Sequence, residues 1–180
     1  MRLIINSLIA LSLITIMLSS VNAQPPTVLW FDGIPLNDIA ISKDGQYVIA
    51  AESTCGGCIR FYSTNGDGSP IWTTSLPDEV FSVAISADGD CIAAGTNQYV
   101  RFWKNARSLT GTQDPTWTSQ SLGQIERRCL DISDDGNYVT ACGTGDSVFY
   151  WNNAKTRSSV GPGECISVEI VCISPPSGGL

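Results

Sequence analysis

The stretch ISADGDCIAAG (residues 85–95) sets the pattern of this chain, because close copies of it stand on either side. ISKDGQYVIAA occupies residues 41–51 and ISDDGNYVTAC occupies residues 132–142, so the Ile-Ser pairs lie 44 and 47 residues apart. In each copy a short apolar stretch leads into Asp-Gly, which favours a tight turn because glycine accepts a positive φ. A second apolar stretch follows the turn. The repeat therefore predicts three β-hairpins.

Two other markers recur in step with the hairpins. One is a tryptophan, found at Trp30, Trp72 and Trp117 with spacings of 42 and 45 residues. The other is an aromatic strand after each hairpin: IRFY (59–62), VRFW (100–103) and VFYW (148–151). Each unit then reads as four strands, which in the second unit are FSVAIS (81–86), CIAAG (91–95), YVRFW (99–103) and TWTSQSL (116–122). Four-stranded units with a period of about 40–50 residues are typical of β-propeller blades.

Two stretches carry a resemblance to known propellers. FYSTNGDGSPIWTTSL (61–76) is similar to the strand–turn–Trp segment of PQQ-like repeats, and VAISADGDCIAAG (83–95) is similar to the first hairpin of secreted prokaryotic propeller repeats. Residues 30–151 thus resemble blades of the WD-repeat and PQQ-like (quinoprotein-like) superfamily. The Gly-His and Trp-Asp dipeptides of eukaryotic WD repeats are absent. The resemblance implies an architecture and is nearly silent on function.

We predict an all-β fold of three to four four-stranded antiparallel blades, which form an incomplete or partial β-propeller. The blades are expected at about residues 30–76, 77–122 and 123–160, with the start of a fourth at 163–174. In that fourth unit ISVEI (166–170) matches FSVAI (81–85), but no Asp-Gly turn follows. Complete propellers use four to eight blades. Three explanations stay open: copies that complete a ring together, a partner chain that completes it, and truncation of a longer gene.

The first 23 residues have the layout of a secretory signal peptide. Met1-Arg2 precedes an apolar run from Leu3 to Leu18, and the small residues Val21 and Ala23 stand before the expected cut. Cleavage after Ala23 leaves residues 24–180 as the mature chain, with no membrane segment. An uncleaved membrane anchor is the alternative. We therefore expect a protein that is secreted, extracellular or held at the cell surface.

Charge and composition limit the function. The formal net charge is −7, whereas nucleic-acid binding requires clustered Lys and Arg, so no nucleic-acid partner is expected. The chain has no histidine, which is the commonest general base and the commonest metal ligand. No Gly-x-Ser-x-Gly or phosphate-binding loop is present. We predict no catalytic residue, no cofactor and no metal, and hence no enzyme activity.

Seven cysteines follow the expected cleavage site, and an exported chain meets an oxidising environment that favours disulfides. A disulfide between Cys55 and Cys58 is the preferred interpretation of Cys-Gly-Gly-Cys, with a zinc knuckle and a redox pair as alternatives. Cys129 and Cys142 face each other if residues 134–137 form the turn of their hairpin, so a cross-strand disulfide or thiol contact is predicted. Cys91 is expected to be buried, and the partners of Cys91, Cys165 and Cys172 stay open.

The loops that follow the second and fourth strand of each unit are expected on one rim of the propeller, which is our default binding site. The rim residues are Glu52, Asp78, Glu79, Asn97, Gln98, Glu126, Arg127 and Asp146. We expect a secreted or cell-surface, non-catalytic binding or assembly scaffold. Its partner is a protein or glycan on this rim, or further copies of the chain that complete the propeller. The alternative is a truncated fragment of a quinoprotein-like dehydrogenase.

Overall fold

Three antiparallel sheets make up the fold in the computed structural model, which describes residues 28–143 and 147–158. The first blade contains β1 (Leu36–Ile41), β2 (Tyr47–Glu52), β3 (Cys58–Ser63) and β4 (Trp72–Ser75). The second contains β5 (Val80–Ile85), β6 (Cys91–Thr96), β7 (Val100–Lys104) and β8 (Trp117–Thr118). The third contains β9 (Ile125–Ile132), β10 (Val139–Gly143) and β11 (Ser147–Trp151). Strands adjacent in sequence pair within each blade, so the predicted all-β, partial-propeller fold is confirmed.

The hairpin turns share one hydrogen-bond pattern, which explains the repeated Ile-Ser-x-Asp-Gly. In the second turn, Ser86 Oγ donates to Asp88 Oδ1 (2.7 Å), and the Asp90 amide donates to the same oxygen (3.0 Å). The Cys91 amide donates in turn to Ser86 Oγ (3.0 Å), and Gly89 supplies a φ of +73°. The other two turns repeat this set of bonds around Ser42–Asp44 and Ser133–Asp135. Each turn is therefore specified by residues within five positions of one another.

Alternation along the strands gives every blade two faces. On β2, Ile49 and Ala51 point toward the second blade, whereas Val48 and Ala50 point away from it. We call the face toward the following blade the forward face, and the face toward the preceding blade the rear face. Side chains directly opposite in the ladder share a face, so the register extends this assignment to the neighbouring strands.

Two blade-to-blade interfaces form the core. At the first, the forward face of the first blade packs on the rear face of the second, where Ile92 and Trp103 are fully buried. At the second, Phe102 and Trp117 on the forward face of the second blade pack on the rear face of the third. Small side chains in β6, such as Ala93, let the sheets approach closely. Burial of these large side chains is the main force that holds the blades together.

The recurring tryptophans tie each outer strand to the next blade. Trp72 Nε1 donates to the carbonyl oxygen of Ala106 (2.8 Å), and Trp117 Nε1 donates to that of Ala154 (3.0 Å). Each acceptor opens a short 3₁₀ helix, at Ala106–Ser108 and Ala154–Thr156. The ring is thus buried while its polar N–H is satisfied across the interface, as a buried tryptophan requires.

The structure differs from the sequence prediction in the outer strands. Residues 116–122 were expected as one strand, but only Trp117–Thr118 are regular, and pairing continues through isolated bonds such as Ser119 N to Val100 O (2.8 Å). Trp30 lies outside any strand. The expected signal peptide and the fourth unit at 163–174 lie outside the described residues. Within the described ranges, no helix is long and apolar enough to cross a membrane.

Candidate functional site

The candidate site is the loop rim, which we define as the edge formed by the β2–β3, β4–β5, β6–β7 and β8–β9 connections. Antiparallel pairing brings these connections to the same edge of every blade. The loops contact one another directly, since the Leu76 amide donates to Gly57 O (3.0 Å) and the Leu122 amide donates to Gln98 O (2.8 Å). The rim is therefore a braced surface rather than a set of independent loops.

Glu52 is buried at the end of β2 instead of exposed in a loop. Its carboxylate accepts from Thr54 Oγ1 (2.7 Å) and from Arg60 Nε (2.9 Å) and NH2 (2.8 Å). The hydrogen bond from the Thr54 hydroxyl is the larger cause, and that from Arg60 the second, that lowers the pKa of Glu52 below its ordinary value. A carboxylate that is buried and paired in this way supports the rim from beneath and presents little surface to a partner.

Asp78 is likewise committed to a partner within the blade. Its Oδ2 accepts from Arg101 NH2 (2.7 Å), and the guanidinium is nearly buried. Arg101 also donates to Thr96 Oγ1 (3.2 Å) and lies over the ring of Tyr99, with 5.1 Å between Cζ and the ring centroid. This pair fixes the β4–β5 connection to β7, so removing either partner leaves a charge with poor solvation.

Glu79 and Arg127 belong to a small polar network that joins all three blades. Asn37 Nδ2 donates to Glu79 Oε1 (3.0 Å), and Arg127 NH1 donates to Asn37 Oδ1 (2.8 Å). The Arg127 guanidinium also lies over the Phe81 ring, with Cζ 5.1 Å from its centroid. Arg127 and Glu126 were expected in a loop but lie inside β9, because this strand begins at Ile125.

Three of the predicted rim residues remain uncommitted. Asn97, Gln98 and Glu126 are exposed, and their side chains make no hydrogen bond or ion pair with the other described residues. They stand beside the paired residues just described, so the rim combines a fixed base with free polar groups. Asp146 lies outside the described residues. The binding role of all eight residues stays a prediction.

Four cysteines lie at disulfide distance in two pairs. Cys55 and Cys58 have a Cα–Cα distance of 5.7 Å, and Cys129 and Cys142 have one of 5.3 Å. The predicted contact across the third hairpin is therefore confirmed, although the ladder becomes irregular just after Ala141. Cys91 is buried, as expected. Cys165 and Cys172 lie outside the described residues.

One group of potential metal ligands occurs among the described residues. Ligand atoms of Glu52, Cys55 and Cys58 all lie within 4.8 Å of one another. The carboxylate is already bound by Thr54 and Arg60, and the two sulfurs face each other at disulfide distance. A guanidinium this close also disfavours a second cation. The arrangement fits a disulfide beside an ion pair and does not fit the zinc alternative.

The central groove has a polar lining whose residues were not predicted from the sequence. The innermost strands β1, β5 and β9 enclose a groove of about 520 Å³. Asp38 lines it and joins two blades, because its Oδ2 accepts from Ser82 Oγ (3.0 Å) and from the Val83 amide (2.9 Å). Arg128, at a φ of +58°, and Asp131 line the same groove. Because first strands line the centre of a propeller, the position of these residues on the first strand of a unit could have identified them as groove residues.

Comparisons with known proteins agree with this geometry. Residues 68–104 and 116–152 match the family described as "WD domain, G-beta repeat". Each matched segment ends one residue after a tryptophan of the third strand, Trp103 or Trp151, where lysine or asparagine follows instead of the usual aspartate. No curated protein matches the sequence.

Solved structures show the same fold. "Crystal structure of RRP9 WD40 repeats" aligns with a TM-score of 0.57 and 18% identity, over 73% of this chain and 39% of that one. "Structure of U3-55K" aligns with a TM-score of 0.55 and 19% identity, over 73% of this chain and 40% of that one. The chain thus spans about two fifths of the structures it matches. The described residues therefore carry the fold of a WD40-repeat propeller.

Proposed function

We propose that this protein is an exported, non-catalytic scaffold that binds a protein partner on the loop rim. The observation that carries the proposal is the contrast within the rim. Asp78, Glu79 and Arg127 brace the loops, whereas Asn97, Gln98 and Glu126 stay exposed and unpaired among the described residues. Rigid loops with free polar groups lose little conformational entropy when a partner binds.

One feature of the sequence and one of the structure support export. The first 23 residues have the composition of a signal peptide, and two cysteine pairs lie at disulfide distance. The mass of the protein recovered from the medium of an expressing culture tests the proposal. We expect a chain that begins at Gln24. A chain that stays inside the cell and keeps its first 23 residues would contradict export.

Binding on the rim is tested by photo-crosslinking. A photoreactive amino acid at Gln98 is expected to capture a protein partner, whereas the same group at Asn65, exposed on the β3–β4 loop at the opposite edge, is not. The triple variant Asn97→Ala, Gln98→Ala, Glu126→Ala should abolish co-purification of the captured partner. Equal capture from both positions would contradict a rim site. A partner that is captured and released by glycosidase treatment would replace the protein ligand with a glycan.

The quinoprotein-like alternative gains no support from the site. Its resemblance rested on residues 61–76, and the matched segments and solved neighbours are WD repeats. The visible absorbance spectrum of the purified protein is the test. A quinone band would restore the alternative.

A further inference from the structure

The forward face of the third blade exposes large apolar side chains beside the polar pair Thr140 and Asp131. Val148 and Tyr150 are 47% and 40% exposed, while Ile59 and Phe61, at the same ladder positions of the first blade, are fully buried. Tyr138 and Tyr150 stack with 6.0 Å between ring centroids, which repeats the stack of Tyr47 on Phe61 at 5.3 Å. The third blade thus exposes large apolar side chains at ladder positions that the first blade buries against a neighbour.

The rear face of the first blade is its counterpart. Ile39 and Ile41 are 58% and 60% exposed. The equivalent residues on the rear faces of the other blades, Val83 and Ile132, are 4% and 8% exposed because a neighbouring blade covers them. The two open faces are therefore the two halves of an interface that the chain already forms twice.

Residues 28–34 lie against this rear face in the manner of an outer strand. Trp30 Nε1 donates to Thr64 O (3.3 Å) across 34 residues, as Trp72 donates to Ala106 across the same separation. Trp30 also stacks on Tyr62, with 5.3 Å between ring centroids. Leu29 and Phe31 are exposed on either side of it. The segment occupies the place of an outer strand, but no backbone hydrogen bond joins residues 28–34 to a sheet within the described ranges.

Among the described residues, the third blade has no complementary element. In the first two blades, the strand after the hairpin pairs with an outer strand that carries a tryptophan, β3 with β4 and β7 with β8. β11 pairs with β10, and no outer strand stands beside it among the described residues. An unpaired strand edge next to an apolar face favours addition of another strand.

We propose that a second copy of this chain covers the third blade. Its residues 28–34 would add the outer strand beside β11, and the rear face of its first blade would cover Tyr138, Val148 and Tyr150. Two such contacts, related by a twofold axis, close six blades into one ring, which lies within the usual range of four to eight. A second copy is the partner whose matching surface is visible, since both halves of the contact belong to this chain. The inference goes beyond rim binding and does not depend on it.

The test uses the full chain with its disulfides intact. Light scattering after size exclusion is expected to give twice the chain mass, and a monodisperse monomer would overturn the proposal. Val148→Asp should halve the mass, because it places a charge in the contact while the monomer keeps that side chain in water. Thr112→Asp, a change at another exposed position, on the β7–β8 loop, should leave the mass unchanged. Equal effects of both variants would contradict the proposed surface.

A crosslinking experiment identifies the occupant directly. A photoreactive group at Tyr150 is introduced into unlabelled chains, which are mixed and re-equilibrated with ¹⁵N-labelled chains. Mass spectrometry is expected to find crosslinks from an unlabelled to a labelled chain, within residues 28–52. Crosslinks to residues 159–180 of the same chain would show that its own C-terminal segment covers the face, and would overturn the proposal. Crosslinks to a different protein would overturn it as well.

Discussion

Blade faces that are covered by a neighbour and blade faces that are open to solvent carry the same strand alternation in this propeller. Phe102 on the second blade and Tyr150 on the third hold the same ladder position, yet one is fully buried and the other faces solvent. Likewise Val83 is covered and Ile39 is not. Both members of each pair arise from the same strand alternation. The contrast teaches that the repeat determines the chemistry of a face, whereas burial depends on whether a neighbour is present.

The largest expected effect separates an internal tryptophan from the terminal one. Trp117→Ala should lower the free energy of unfolding by about 3–5 kcal/mol, because a fully buried ring leaves a cavity between two blades. In the Val148→Asp background, which is expected to be monomeric, Trp30→Ala should cost about 1 kcal/mol, since its ring is half-buried in the single chain and loses one long hydrogen bond. Urea unfolding followed by circular dichroism measures both. Similar losses would mean that the N-terminal segment is held as firmly as an internal strand.

A second pair of variants compares turns that do and do not meet a neighbour. A Cβ at Gly89 would lie 2.5 Å from Tyr47 Cδ2 on the first blade, whereas a Cβ at Gly45 would meet nothing within 4 Å. Both glycines have a positive φ, so each alanine costs about 1 kcal/mol in backbone strain. Gly89→Ala should cost about 2 kcal/mol more, because it also displaces the ring. Thermal unfolding of the two variants gives the difference, and equal melting temperatures would contradict the close packing of the blades.

A third comparison is between Cys91 and Tyr138, which follow the second and third hairpin turns at the same position. Cys91 is buried, whereas Tyr138 is exposed. Burial raises the pKa of the Cys91 thiol from 9.0 to about 12. At pH 8 the thiolate population of the folded protein should therefore be about a thousandfold below that of the unfolded chain. Alkylation with iodoacetamide, mapped to the Cys91 peptide, should be negligible until denaturant is added.

The same shift predicts a loss of stability at high pH. A neutral buried thiol is fully favourable below pH 9, and its contribution declines as the pH rises from 9 toward 12, because the unfolded state ionises first. Cys91→Ala should remove this part of the pH dependence. Rapid alkylation of the native protein at pH 8 would show that the second and third blades separate readily.

The smallest expected effect concerns the third hairpin turn, whose side-chain hydrogen bonds all lie within residues 133–138. The Ser133 hydroxyl, followed by the Asn137 amide and side chain, lowers the pKa of Asp135 from 3.8 to about 2. Its stabilising contribution is present above pH 3.8 and is lost as the pH falls toward 2. Ser133→Ala should return the pKa toward 3.8, as measured by NMR titration of the side-chain carboxyl carbon. An unchanged pKa would indicate that the hydroxyl does not make this bond in solution.

Sequence reasoning succeeded where the determining residues are close together in the chain. The hairpin turns and the pairing of Cys129 with Cys142 follow from residues that are at most 13 positions apart. It failed where the partners lie on different blades. The contact of Arg127 with Asn37 spans 90 residues, and that of Asp38 with Ser82 spans 44. Such contacts depend on how one sheet is rotated against the next, which strand alternation leaves open.

The amino-acid sequence by itself determined the repeat, the strand order within each blade and the turn chemistry, because hydrogen bonds between near neighbours specify them. Only the tertiary structure decided which rim residues brace the loops and which stay free. It also decided that Trp30 lies against the first blade without joining a strand. The physical reason is that burial and charge pairing depend on the distances between blades, and those distances are established only when the sheets pack together.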